Sequence, residues 1–188
     1  MEFQKIDLDA WPRRDTFRHF LREVPCTYSM TVELDITRLR RETRARGIGL
    51  VPVLLYGLSR QVNRQDAFRM DFDEAGNVGI YDRSHPCYTV FHPETGGFTT
   101  VWTEYDPDFS AFYRNYQRDM EQYRHDVQGG KPGAPRNLFS VSCIPWTGFT
   151  GFHLNLQRGY AHLPPIFTIG KAGAAGKLPL AIQVHHGA

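Results

Sequence analysis

The sequence predicts an α+β protein in which helices flank a mixed β-sheet. Three observations carry that prediction. Amphipathic stripes at helical spacing recur in roughly three or four segments, and about seven shorter segments alternate or run apolar like strands. The two kinds of segment do not alternate regularly as strand–helix–strand units, which argues against a doubly wound parallel sheet.

Residues 9–23 read as a helix entered near Pro12, with Phe17, Phe20 and Leu21 as the buried stripe and Pro25 ending it. Residues 26–34 alternate as a strand. Asp35 is then placed to cap a helix running to Gly47, which carries Arg38, Arg40, Arg41, Arg44 and Arg46. Those charges are spread around the helix and lack interleaved aromatic residues, so a solvated surface is expected rather than a nucleic-acid arm. Pro52 opens a second helix in which Val51, Leu54, Leu55, Leu58 and Val62 recur at helical spacing towards Phe68. Two short strands around Asp82–Ser84 occupy 78–92, and a further strand is expected over 97–105. Phe109, Phe112, Tyr113, Tyr116, Met120, Tyr123 and Val127 form one stripe on a long helix over 108–127, read as core. After a Gly/Pro loop at 129–135, strands are expected at 138–144, 151–156, 165–170 and 178–186.

With 188 residues, 41% hydrophobic and 22% charged, the chain suits one ordinary globular domain. A formal net charge of +2 does not call for a nucleic-acid partner. Cys26, Cys87 and Cys143 are odd in number and lack a C-x-x-C pair, so neither a disulfide framework nor a zinc ribbon is expected, and reduced thiols suit a cytoplasmic protein. The first residues show no basic region followed by an apolar one, unlike a signal peptide, and no apolar run approaches the ~18 residues of a membrane span.

The chemistry is expected at the end of the chain. Leu180, Ile182, Val184 and His186 alternate with Ala181, Gln183 and His185, so the two histidines point to opposite faces of a strand. His186 shares the apolar face, where desolvation would keep an imidazole neutral and suited to act as a base; a hydrogen-bonded core histidine is the plainer alternative. Because they face apart, His185 and His186 make poor co-ligands, and no metal site is expected. The segment Gly170–Lys177 lacks the spacing of a phosphate loop and reads as a hairpin connection. On the strand at 138–144, Ser140 and Ser142 share a face with Ile144. A hydroxyl there must find a carbonyl partner or serve as a donor to an oxyanion.

Taken together, several groups of residues resemble a known family from end to end. Trp11, Arg13, Arg14 and Phe17 come first, then Pro25-Cys26-Thr27-Tyr28-Ser29, Pro52-Val53, Val62-Asn63 and Phe68-Arg69-Met70. Thr89-Val90-Phe91-His92, Ser142 with Pro145-Trp146, Phe152 with Leu154-Asn155, and Gln183-Val184-His185-His186 follow. Their order is that of the trimeric chloramphenicol acetyltransferases. The resemblance implies a two-layer CoA-dependent acyltransferase fold over a single domain, residues 1–188, with each active site at a subunit interface of a homotrimer. It implies acetyl transfer from acetyl-CoA to the primary hydroxyl of chloramphenicol, hence antibiotic resistance, with no metal.

By the same resemblance His186 matches the base, the second histidine of an H-H-x-x-x-D-G motif, and Ser142 the oxyanion donor supported by Thr168. Arg13 matches the arginine that pairs with the motif's aspartate, and Trp146 and Lys171 match positions near coenzyme A. Phe20, Val24, Cys26, Tyr28, Phe98, Leu154 and Ile166 match positions near the acceptor. The aspartate and a terminal segment of about 20–25 residues seen in family members do not occur in the sequence, leaving Arg13 expected to be partly buried without its carboxylate. Phe20, with His19 beside it, replaces a tyrosine of the family. Another small hydroxyl compound as acceptor, or a binding homologue with impaired catalysis, are the alternative readings.

Overall fold

The structure is a computed structural model that describes residues 2–156 and 161–188. In chain order its elements are β1 (Phe3–Lys5), α1 (Arg14–Arg18), β2 (Thr27–Asp35), α2 (Thr37–Ala45), α3 (Leu50–Val62), β3 (Met70–Phe72), β4 (Val78–Tyr81), β5 (His85–His92), β6 (Gly97–Trp102), α4 (Phe109–Tyr123), β7 (Leu138–Cys143), β8 (Ile166–Ile169) and β9 (Lys177–His185). Six strands form one sheet in the order β2-β9-β8-β7-β5-β6, and β1-β4-β3 form a small antiparallel one. In the large sheet β7 runs parallel to both β5 and β8 while the other pairs are antiparallel. The predicted α+β architecture with a mixed sheet is the one observed.

Cross-strand partners share a face, so the register sorts the large sheet into two surfaces. Tyr88, Val101, Val141, Phe167, Ile169 and Leu180 lie on one, packed with Leu55 and Val62 of α3 and Phe112 of α4 into the main core. This is why the apolar stripes of α3 and α4 have helical spacing: each needs one face only. Thr89, Phe91, Phe98, Ser142 and Thr168 lie on the other surface, away from the helices.

Several boundaries differ from the sequence reading, each for a local reason. The helix expected over 9–23 begins at Arg14, and His19–Glu23 is a π-helical turn that carries Phe20 out of the buried stripe. Phe17 and Leu21 still enter a second, smaller cluster with Trp11, Met70 and Phe72. Asp35 accepts the Thr37 amide at 3.0 Å while Ile36 is the capping position of α2. Gly47 leaves α2 at φ 63°, a conformation that favours glycine. α3 stops at Val62 because Asn63 turns its amide to the carbonyls of Ser59 and Ser84, both at 2.8 Å. α4 is capped by Asp108, which accepts from Ala111 at 2.8 Å. β1 and β3, each three residues long, were not expected; runs that short show no readable alternation.

The segment 151–156 is not a strand. Its place beside β9 is held by one side chain: Gln183 Oε1 accepts the Leu154 amide at 2.7 Å and Gln183 Nε2 donates to the Leu154 carbonyl at 2.9 Å. Ser29 of β2 adds a 2.6 Å bond to the Phe152 carbonyl. An extended backbone satisfied by side chains has the sequence pattern of a strand without its ladder.

Candidate active site

β7 and β8 pair Ser142 with Thr168 on the sheet face that the helices leave open. Around them Thr89, Phe91, Phe98, Cys143, Ile144, Trp146, Phe152 and Leu154 enclose a cavity of about 200 Å³. Its walls are aromatic and aliphatic and its floor carries hydroxyls, the makings of a site that holds an amphipathic molecule by shape and orients it by few polar groups. Among the described residues the Ser142 hydroxyl has no hydrogen-bond partner, so it remains available as a donor. Burial raises the thiol of neighbouring Cys143 to about 11, which keeps it protonated and unreactive. Trp146, 63% exposed, and Phe98, 69% exposed, form an open rim.

His186 sits elsewhere. Its amide donates to the Cys26 carbonyl at 2.9 Å, and its ring packs on Phe20 at 4.1 Å and edge-on to Tyr28 at 5.3 Å. The burial expected of His186 belongs instead to His185, which is 2% exposed and whose Nδ1 accepts the Gly187 amide at 3.0 Å. The alternation was read correctly, but the face of Leu180, Ile182, Val184 and His186 runs out from under the helices, so burial falls along it and His186 is exposed. A second correction concerns Arg13. It is exposed rather than partly buried, donates to the main-chain oxygen of Ala188 at 3.0 Å and stacks 5.8 Å from the Trp11 ring centre.

The two halves of the expected chemistry do not meet within one chain. Thr168 is registered with Ala181 of β9, five residues before His186, which is roughly 17 Å along the strand, and Ser142 lies one strand further across. The side chains also leave opposite faces of the sheet. Phe20, Cys26 and Tyr28 gather around His186, whereas Phe98, Leu154 and Trp146 surround Ser142. Val24 is exposed, with its amide bonded to the His19 carbonyl at 2.9 Å. Ile166 is buried on β8 two residues before Thr168 and does not line the cavity, and Lys171 is exposed, with its amide bonded to the Thr147 carbonyl at 2.8 Å. Thr89, Phe91, Ile144 and Phe152 line the cavity although the sequence reading did not single them out for it. Facing alternation on 89–91 and 98–100 was the available signal for the first two.

Comparisons with known proteins bear on the family and the fold. A protein-family model described as chloramphenicol acetyltransferase matches residues 1–188. A chloramphenicol acetyltransferase of Campylobacter coli is 47% identical over 190 residues, covering 99% of this chain and 90% of that protein. One of Vibrio anguillarum is 48% identical over 190 residues, covering 99% and 86%. A solved chloramphenicol acetyltransferase superimposes with a TM-score of 0.84 at 27% identity, covering 99% of this chain and 91% of that one. The dihydrolipoamide acetyltransferase of Azotobacter vinelandii shares the fold, with a TM-score of 0.65 at 18% identity over 92% and 78% of the two chains. With a full-length family match and relatives near half identity, this chain belongs to the chloramphenicol acetyltransferase family.

Proposed function

We propose that this chain transfers the acetyl group of acetyl-CoA to the primary hydroxyl of chloramphenicol, in a homotrimer whose sites each join His186 of one subunit to the Ser142 cavity of the next. The observation that carries the reading is the separation of the two groups, each already dressed with the apolar residues a drug needs and each open on one side. His186 takes the hydroxyl proton as the oxygen attacks the thioester carbon. The resulting oxyanion receives the Ser142 hydrogen bond, a contribution of about 3 kcal/mol for a well-placed donor. Collapse expels the coenzyme thiolate, which recovers the proton from His186, so no acyl-enzyme forms. Thr168, two per cent exposed and registered with Ser142 on the neighbouring strand, supports the donor through water.

Exposed apolar residues support the assembly. Tyr28 (46% exposed), beside His186, and Met30 (60%) lie on edge strand β2, and Phe98 and Trp146 form the cavity rim. Two different apolar faces that meet head to tail generate a closed ring when the rotation is a third of a turn. Three free cysteines suit a reducing, cytoplasmic setting, and no described helix is long and apolar enough to cross a membrane.

The test is complementation, read as chloramphenicol-dependent thiol release from acetyl-CoA. His186→Ala and Ser142→Ala should each be nearly inactive alone. Unfolded together in equal amounts and reassembled at random, they should recover about one quarter of wild-type turnover, because one interface in four joins an intact His186 to an intact Ser142. A mixture no more active than its parts would overturn the shared site. Absence of drug-dependent release from the unaltered chain would overturn the acceptor.

A further inference from the structure

The helix that begins at Arg14 changes its winding at His19, and the change lays Phe20 on His186. The Val24 amide donates to the His19 carbonyl at 2.9 Å, five residues back, which closes a π-type turn. Such turns are rare, and one persists only where its surroundings favour it. One side-chain bond spans this turn. His19 Nδ1 and Glu23 Oε2 are 2.8 Å apart, and a carboxylate only accepts, so the imidazole donates. The His19 ring stands edge-on to Phe20, with centroids 5.0 Å apart and planes at 74°. Phe20 in turn lies 4.1 Å from the His186 ring. Glu23, His19, Phe20 and His186 therefore form one line of contact.

The end of that line matters because little else orients the His186 ring. Its amide is bonded to the Cys26 carbonyl at 2.9 Å, which fixes the main chain and not the side chain. Among the described residues neither imidazole nitrogen of His186 has a hydrogen-bond partner, and the ring contacts are Phe20 and the edge of Tyr28. Tyr28 belongs to β2 and is registered with Val184 of β9, so the sheet holds that wall in place. Phe20 belongs to the turn, the wall that relaxes when the turn does.

We infer that His19 and Glu23 are positioning residues that set the orientation of the His186 ring through Phe20, an assignment that rests on the reading of His186 as the base. A base must present one nitrogen to the acceptor hydroxyl, and an imidazole free to rotate does so for only part of the time. Breaking the pair lowers kcat by the competent fraction lost and leaves coenzyme binding alone. The two side chains are 45% and 71% exposed, and an exposed pair shifts an equilibrium only about threefold.

The experiment measures chloramphenicol-dependent thiol release from acetyl-CoA in the wild type, H19A, E23A, E23Q, F20L and H19A/F20L. H19A and E23A should each lower kcat about threefold with KM for acetyl-CoA unchanged. E23Q, which keeps an acceptor for His19 Nδ1, should recover most of that loss. F20L should lose at least as much as H19A, and H19A should add nothing to F20L, because His19 acts only through that ring. Losses that multiply in H19A/F20L, or an unaltered kcat in H19A, overturn the assignment. A readout without turnover separates this outcome from failure of the base reading. The imidazole proton resonances of His186, identified by their loss in H186A, carry the ring current of Phe20. E23A should move them towards their positions in F20L, and E23Q should leave them in place. Resonances in E23A that match the wild type overturn the positioning, even where acetyl transfer is undetectable.

Discussion

Gln183→Leu isolates the part of the site that no periodicity reveals. The replacement is close in volume and apolar, so a side chain only 5% exposed is not exchanged for a large hole. What it removes is the pair of bonds to the Leu154 amide and carbonyl, at 2.7 and 2.9 Å. A net hydrogen bond is worth about 1 kcal/mol, so the pair is worth about 2 kcal/mol, and water reaching the half-buried Leu154 backbone keeps the loss from rising much above that. For a chain of this size that corresponds to a fall in melting temperature of roughly 4–8 °C at fixed protein concentration. Leu154 is a wall of the Ser142 cavity, so the loosened segment should also raise the acceptor KM several-fold while leaving KM for acetyl-CoA nearly unchanged. Thermal unfolding followed by circular dichroism and steady-state kinetics on both substrates make the check. Lost stability with an unaltered acceptor KM would show that Gln183 merely supports the fold, and an unaltered melting temperature would refute the clasp itself.

Lys131→Met should be severe, because Asp119 is 2% exposed and its carboxylate depends on Lys131 Nζ at 2.8 Å and the Thr103 hydroxyl at 2.9 Å. Leaving that charge half-paired costs about 3–5 kcal/mol, measurable as a shifted urea midpoint, and a cost under about 1 kcal/mol would refute the argument. The thiol of Cys143, raised by burial to about 11, gains reactivity only as pH climbs towards that value. At pH 8 about one molecule in a thousand carries the thiolate, so iodoacetamide should label Cys143 at least 100-fold more slowly than an ordinary exposed thiol. Rapid labelling seen by peptide mass spectrometry would contradict the burial. The two histidines should separate cleanly. His186→Ala should cut kcat by at least 100-fold with little change in melting temperature, whereas His185→Ala should lower the melting temperature first. The reverse pattern would exchange their roles.

Much of the fold was legible because long amphipathic elements report their own faces. The stripe of Phe112, Tyr116 and Met120 places α4 on the core, and alternation from Leu178 to Val184 identifies β9. What remained hidden depends on pairing between distant segments. Residues 151–156 have a strand's pattern, yet the partner that satisfies them is a glutamine side chain near the end of the chain. The π-helical turn at His19–Glu23 is equally silent, since widening one turn preserves the apolar spacing while redirecting Phe20 to His186.

The site was legible as chemistry and illegible as geometry. Residue type and strand position pointed to His186 and Ser142, and the resemblance assigned their roles. Strand alternation told which face each leaves, but the distance between them follows only from register, through the pairings Ser142 with Thr168 and Thr168 with Ala181. That register puts His186 roughly 17 Å beyond its expected partner along the sheet. The burial predicted for His186 fails for the same reason, since a strand can be apolar on one face and still outrun the helices that cover it. An exposed imidazole flanked by Phe20 and Tyr28, and a hydroxyl lying open in a cavity rimmed by Phe98 and Trp146, are each poor arrangements in water. Their exposure costs apolar burial that a second copy of the chain would return, so the residues that look misplaced in one subunit are those whose placement the complementation experiment probes.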